Sequence, residues 1–285
     1  MPVASTTPSI VAHINGSGAA VAAAIWGAKE AYRRDIPLRL LYAVHRGDQV
    51  AALGSADRAT RADIAVRHAR EAVEATGLQV KFEVQIAEGT AAAALIRASR
   101  SAAMVCMGAA GVDACSSNYA VTAAVAAAAR CPVAIIRQRA AAAPWLPGAI
   151  FAALPDLNNA EALVQAAMEQ AQVRGLPIRA VTCWQTRFSD IHDPDAISNG
   201  NRMMRARLDR YLARWACRYP DVTVTPVAVH GSVLNDLARC AYSIDLVIGA
   251  RDREQGRFAG QLGEAVLHHT DCSLLVVDSA TTAGT

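Results

Sequence analysis

The sequence predicts an α/β fold built twice: two tandem, open, five-stranded parallel sheets, each with helices on both faces. Three observations predict it. The chain repeats itself, because Ile10-Val11-Ala12-His13-Ile14 opens the first half and Ala149-Ile150-Phe151-Ala152-Ala153-Leu154 opens the second. Arg34-Asp35-Ile36-Pro37-Leu38-Arg39-Leu40-Leu41 recurs as Arg174-Gly175-Leu176-Pro177-Ile178-Arg179-Ala180-Val181. Met104-Val105-Cys106-Met107-Gly108 recurs as Asp245-Leu246-Val247-Ile248-Gly249, and Cys131-Pro132-Val133 as Cys272-Ser273-Leu274. A period of about one domain length, held over four landmarks, means two copies of one fold. Each half also alternates short apolar runs with Ala-rich helical stretches across short connections, the pattern of a parallel sheet covered on both faces. Finally, 285 residues suffice for two domains of ordinary size, each with its own core.

Each element has a local reason. Residues 9–14 form a short apolar strand after Pro8. Residues 19–34 form a helix capped by Ser17 and ending near Asp35. A second strand covers 38–44. A helix rich in Ala, Arg and Glu covers 56–75, and an alternating strand 81–87. A helix at 91–100, a strand at 103–108, a helix at 122–130 and a strand at 133–137 complete the half. The second half repeats the order, with strands near 149–154, 177–183, 222–229, 244–249 and 274–278. Its helices lie near 159–174, 199–217, 232–241 and 261–269. Two prolines and a glycine in 140–148 stop any helix there, so domain 1 spans 1–139, a linker 140–148 and domain 2 149–285. The Asp, Pro, Ser, Asn and Gly content of 187–201 predicts a mobile surface loop.

Bulk properties narrow the function. The apolar fraction is 53%, but Ala supplies much of it, which favours closely packed helices over an aromatic core. The net charge of +3 is scattered and no aromatics interleave with the basic residues, so nucleic acid is not an expected partner. Charges interrupt every apolar run, so no membrane span is expected. The N-terminus lacks the basic start and apolar stretch of a signal peptide. Seven cysteines without a CxxC suit buried thiols in a reducing compartment, and a cytoplasmic protein is expected.

The landmarks resemble the universal stress protein family in its tandem, two-domain form, over almost the whole chain. The first strand followed by Asn15-Gly16-Ser17 is similar to the family's VxxDGS opening. The stretch after the fourth strand is similar to its G-x-x-G, nine residues, G-S/T nucleotide loop, and Cys131-Pro132-Val133-Ala134-Ile135-Ile136-Arg137 is similar to its closing strand. The resemblance implies a Rossmann-like fold, akin to the adenine-nucleotide α-hydrolases. It also implies two halves packed as an intramolecular pseudo-dimer across their last strands, with a homodimer as a further option. In its ATP-binding members an Asp after the first strand lies near adenine and ribose, second-strand backbone meets the adenine, and the glycine loop holds phosphates with magnesium. The physical basis is free N–H groups at a helix start and a close glycine approach.

Carried over, the first-half site is Asn15, Ala43, Val44, Met107, Gly108, Gly111, Val121, Thr122 and Ala123. Gly108 and Gly111 keep the spacing and nine residues, 112–120, follow, but Val121 replaces glycine and Asn15 replaces the acid. A β-branched residue resists positive φ and crowds a phosphate, and Asn is no anionic acceptor. The second half keeps Gly249 and Gly263, but Asp252 replaces the second glycine, the loop is about one residue too long, Glu264 replaces Ser/Thr and Leu154 replaces the acid. Asp156 substitutes only if its loop is rearranged, while Arg251, Arg253 and Arg257 offset negative charge. The second half is therefore the poorer expected binder.

Simpler readings stand beside these. Gly108 and Gly111 also serve a strand-to-helix turn, and Asn15-Gly16 is a turn signal in its own right. His268 and His269 point apart on a helix and do not grip one metal. Cys115 lies in a polar loop without a basic neighbour to activate it. Arg202, Arg205, Arg207, Arg210, Arg214 and Arg218 spread around a solvated helix with Asp209 among them. No GxSxG, Walker lysine or HExxH is present. The expectation is a non-catalytic stress-response protein with adenine nucleotide, ATP with magnesium, as the ligand of domain 1. Its alternatives are a nucleotide-free scaffold for an unknown protein partner and a slow ATPase.

Overall fold

The computed structural model describes residues 8–44, 55–109, 116–138, 148–185, 194–251 and 260–278. These fall into two compact units, the first drawn from 8–138 and the second from 148–278. In the first unit β1 (Ser9–Ile14), β2 (Leu38–Val44), β3 (Phe82–Glu88), β4 (Ala102–Gly108) and β5 (Val133–Ile136) alternate with α1 (Gly18–Arg34), α2 (Ser55–Glu74), α3 (Ala91–Ala98) and α4 (Ser116–Ala128). The strands are all parallel and run in the order β3-β2-β1-β4-β5. The second unit holds β6 (Ala149–Ala153), β7 (Ile178–Trp184), β8 (Val224–His230), β9 (Ile244–Arg251) and β10 (Ser273–Asp278). They alternate with α5 (Glu161–Arg174), α6 (Pro194–Arg218), α7 (Val233–Cys240) and α8 (Gly260–His269). This sheet is also parallel and runs β8-β7-β6-β9-β10. The predicted pair of five-stranded α/β sheets is therefore present.

Small residues set the packing. Ala20, Ala23, Ala24, Ala28 and Ala31 bury one face of α1. A Cβ at Gly27 would lie 3.2 Å from Ile10 and 3.3 Å from both Cys106 and Leu38, so α1 sits directly on β1, β4 and β2. Ser17 caps α1 by accepting the Ala20 N–H at 3.2 Å. Asp35 ends it in the left-handed region at φ 49°, where the second unit uses Gly175 at φ 64°.

Three helix starts differ from expectation by two residues or more. α4 starts at Ser116 rather than at 122, because with Val121 in place of glycine nothing in 116–121 stops the helix. α6 starts at Pro194, so 194–201 is helix rather than loop, while 187–193 lie outside the described residues. Pro194 suits a first helical position and Asp195 the positive end of the helix. Gly200, counted toward the 187–201 loop, is instead where Trp184 packs: a Cβ there would collide with the indole, and Trp184 Nε1 donates to Asn201 Oδ1 at 2.8 Å. In the second unit a 3-10 turn, Leu157–Asn159, precedes α5, which starts at Glu161. Of the expected linker, only Gly148 lies among the described residues.

Candidate functional site

In each unit the chain leaves β1 or β6 toward one side and returns to β4 or β9 on the other. A reversal of strand order opens a crevice beyond the carboxyl ends of the strands. In the second unit it is a cleft of about 660 Å³. Ala153 and Pro155 line it after β6, Cys183 and Gln185 after β7, Gly249 and Ala250 at the end of β9, and Leu262 on α8. Gly231, Ser232, Val233, Leu234 and Asn235, from the β8–α7 turn, complete the lining. Ser232 caps α7 by accepting the Leu234 N–H at 3.1 Å. Asp236, buried one step further on, holds α7 to β7 through two-pronged contacts with Arg179 at 3.0–3.1 Å and meets Arg239 at 3.1 Å. The helix start that lines the cleft is thus fixed from below by an ion pair whose carboxylate is buried.

The first-unit residues are placed differently. Asn15 Oδ1 accepts the Ser17 N–H at 3.1 Å and the Ser17 hydroxyl at 2.7 Å, so its side chain builds the start of α1. Ala43 and Val44 end β2 level with Ala87 and Glu88, and the Val44 carbonyl accepts the Gly89 N–H at 3.0 Å. Met107 and Gly108 end β4 level with Ile135 and Ile136. A Cβ at Gly108 would collide with the Ala19 backbone, so this glycine lets β4 meet the first turn of α1. Val121, Thr122 and Ala123 lie beyond the first turn of α4, where N–H groups belong to the helix ladder, and Thr122 is buried. Gly111, Cys115, Asp252, Arg253 and Arg257 lie outside the described residues.

Strand register re-aligns the second half. Ile10 is level with Leu38 and Met104, and Ile150 with Ile178 and Leu246. The counterpart of Gly108 is therefore Ala250, and that of Met107 is Gly249. The extra loop residue disappears with this shift, while Val121 and Gly263 stay matched. Gly263 is buried in the first turns of α8, and Glu264 is exposed beside it. Leu154 is buried, and its N–H donates to the Val181 carbonyl at 2.8 Å. Asp156 accepts from Asn158 N at 3.0 Å and Asn159 Nδ2 at 2.9 Å, so it caps the 3-10 turn. Arg251 is buried against Asp278 at 3.2 Å rather than offered to an anion.

Comparison with known proteins decides the family. The universal stress protein family model matches residues 7–137 and 150–278. A universal stress protein of Mycobacterium tuberculosis is 43% identical over 276 residues, 95% of this chain and 96% of the relative. The chain belongs to the universal stress protein family. Another member from M. tuberculosis is 33% identical over 280 residues, 95% of this chain and 97% of that one. A universal stress protein from Archaeoglobus fulgidus shares the fold with a TM-score of 0.66 at 11% identity, over 96% of each chain. The cytoplasmic domain of a prokaryotic cation chloride cotransporter shares it with a TM-score of 0.52 at 9% identity, again over 96% of each chain.

Among the described residues, no charged side chain lines the cleft of this universal stress protein. Its hydrogen-bonding groups are the Gln185 and Asn235 amides, the Ser232 hydroxyl and backbone, set among small apolar walls. That suits a neutral, flat, hydrogen-bonding ligand portion such as a base and sugar. Among the described residues no group of three or more His, Cys, Asp or Glu could hold a metal ion. No described helix is long and apolar enough to cross a membrane. Gln185, Ser232 and Asn235 line this cleft and were not singled out from the sequence. Their signal was the repeat Glu88-Gly89-Thr90 against His230-Gly231-Ser232, a strand, a positive-φ glycine and a helix cap in both halves.

Proposed function

We propose that this universal stress protein acts by binding rather than turnover, and that an adenine nucleoside or nucleotide occupies the cleft of the second half. The observation that supports this is the roughly 660 Å³ cleft at the strand-order reversal, lined by uncharged hydrogen-bonding groups. Its volume falls within the range of small-molecule sites. The absence of a lining His, Asp or Glu among the described residues supports binding without hydrolysis. The reading moves the ligand away from domain 1, where Asn15 is spent on Ser17 and the α4 ladder runs through Val121–Ala123. Magnesium would accompany a polyphosphate ligand, and a cytoplasmic protein partner would read the occupied state.

Titration calorimetry of the full chain with adenosine, AMP and ATP, with and without magnesium, tests this. One ligand per chain is expected. Val233→Trp, which fills the cleft mouth, should weaken binding at least about tenfold. Asn15→Asp and Val121→Gly, singly or together, should leave binding unchanged. Gain of binding in those variants would return the site to the first half. No heat with any ligand would leave a nucleotide-free interaction scaffold, and steady phosphate release would make the protein a slow ATPase.

A further inference from the structure

The two sheets end in counterpart strands, β3 and β8, and the two are guarded differently. Each is the last strand on one side of its own sheet. Leu38 N donates to the Lys81 carbonyl, so the odd-numbered residues of β3 face β2 and the polar groups of Phe82, Val84 and Ile86 face outward. Ile178 N donates to the Thr223 carbonyl, so Val224, Pro226 and Ala228 face outward on β8. Pro226 removes a donor from the middle of that edge, a common protection against strand addition. α6 also packs along β8. The counterpart of Pro226 is Val84, by the registers Leu38 with Phe82 and Ile178 with Val224. β3 has no proline, and its Val84 and Ile86 are 56% and 54% exposed. Arg70 lies over the Phe82 ring, which puts α2 on the same side of the sheet as Val84 and Ile86, and Ile64 on α2 is 50% exposed.

We propose that the β3 edge is a self-association surface, pairing antiparallel with β3 of a second copy about a two-fold axis at Val84. The occupant follows from the strand's own pattern. An isologous contact requires a patch that complements itself. Phe82-x-Val84-x-Ile86 does so: a two-fold at Val84 sets Val84 against Val84, and Phe82 against Ile86, on one face. Outward N–H and carbonyl groups on both strands then pair, and Glu83 meets the neutral Gln85. A register centred one residue earlier would oppose Glu83 to Glu83, which is unfavourable. The same axis brings α2 and Ile64 of both copies over the new ribbon. The contact is small beside a standard interface of about 1,600 Å², so the dimer is weak and reversible.

Sedimentation velocity of the full chain from about 10 µM to about 1 mM tests it. The mass should rise toward the dimer with concentration. Hydrogen exchange at the Val84 and Ile86 amides should slow in parallel. Val84→Pro installs the guard that β8 carries at the same level, and should weaken association at least about tenfold with an unchanged circular dichroism spectrum. If Val84→Pro perturbs folding, Ile86→Lys, which leaves the backbone intact, carries the same expectation. A wild-type chain that stays monomeric over the range overturns the proposal and leaves the edge for a strand of a different protein. Association that survives Ile86→Lys, or leaves the two amides unprotected, also overturns it.

Discussion

Arg39 and Arg179 occupy the same place in the two halves, one residue into β2 and β7, yet they meet different carboxylates. Arg39 pairs with Glu83 on the neighbouring strand at 2.8 Å, whereas Arg179 pairs with Asp236 on the helix packed over it. The positions trade exactly one carboxylate: the level of Glu83 is Thr225 in the second half, and that of Asp236 is Ala94 in the first. Both solutions neutralise the guanidinium, and the second ties down a helix start that lines a cleft. A second difference lies nearby. α1 begins four residues after β1 and its first turn touches Gly108, while a 3-10 turn delays α5. The shared ladder leaves each half free to diverge at its strand ends, and the cleft of the second half lies there.

The largest expected effect breaks that comparison directly. Asp236→Ala leaves Arg179 without its buried partner and should destabilise the second unit by about 3 kcal/mol. Glu83→Ala removes a pair that is one-third exposed on its acidic side and should cost no more than about 1 kcal/mol in the first unit. Chemical denaturation of the full chain measures both. If the trade is compensatory, adding Thr225→Glu to Asp236→Ala should recover part of the loss. Equal effects from the two single variants would sink the argument.

Acid should separate the halves next. Burial holds the His13 imidazole down at about 4, from an ordinary 6.5, and its counterpart by register is Ala153. The folded first unit therefore binds fewer protons than its unfolded chain between those values. Stability is lost as pH falls from 6.5 toward 4, by about 3 kcal/mol in all, and is independent of this group above that window. Thermal melts at stepped pH should show the first unit weakening in this range. His13→Ala, which copies the second half, should flatten the dependence. A slope unchanged in that variant would assign the acid sensitivity to other groups.

Gly108 and Ala250 offer a smaller contrast. Gly108→Ala forces a Cβ into the Ala19 backbone and should cost about 2 kcal/mol, while Ala250→Gly, at the same level of the other sheet, should cost under about 1 kcal/mol. The test reads Gly108 as a packing residue, independent of any ligand. A Gly108→Ala chain as stable as wild type would mean that β4 and α1 part easily.

The repeat, the strands and the family were legible because they rest on buried apolar runs and on prolines and arginines at fixed places. Three helix starts, those of α4, α5 and α6, were not. α4 extends to Ser116 because a lost glycine removes a stop, and a missing stop leaves no positive mark in the sequence. The glycine of α6 counted toward a loop, because its reason for being small, the Trp184 ring, comes from a neighbouring strand. The cleft of the second half escaped notice for a related cause. Motif matching weighed Asn15, Val121 and Thr122 as ligand positions, while their contacts serve the start of α1 and the body of α4. The cleft comes from where a helix begins and how far a loop turns, which single residues such as Pro155 or Ser232 do not announce.

The smallest expected effect concerns the two helix ends. Asp35 ends α1 at φ 49° and Gly175 ends α5 at φ 64°, with the cap N–H reaching back to Ala31 and Tyr32 in one and to Ala171 in the other. A left-handed residue with a Cβ costs roughly 1 kcal/mol, which glycine avoids, although glycine loses more chain entropy on folding. The two terms oppose each other, and the steric one is the larger at a left-handed cap, where glycine is the usual residue. Asp35→Gly should therefore stabilise the first unit by about 0.5 kcal/mol, and Gly175→Asp should destabilise the second by a similar amount. Denaturant midpoints at constant slope would read the pair. Opposite signs would show that two ends of different sequence share one backbone requirement. Destabilisation by Asp35→Gly would mean that the carboxylate of Asp35 makes a local contribution that outweighs its strained φ.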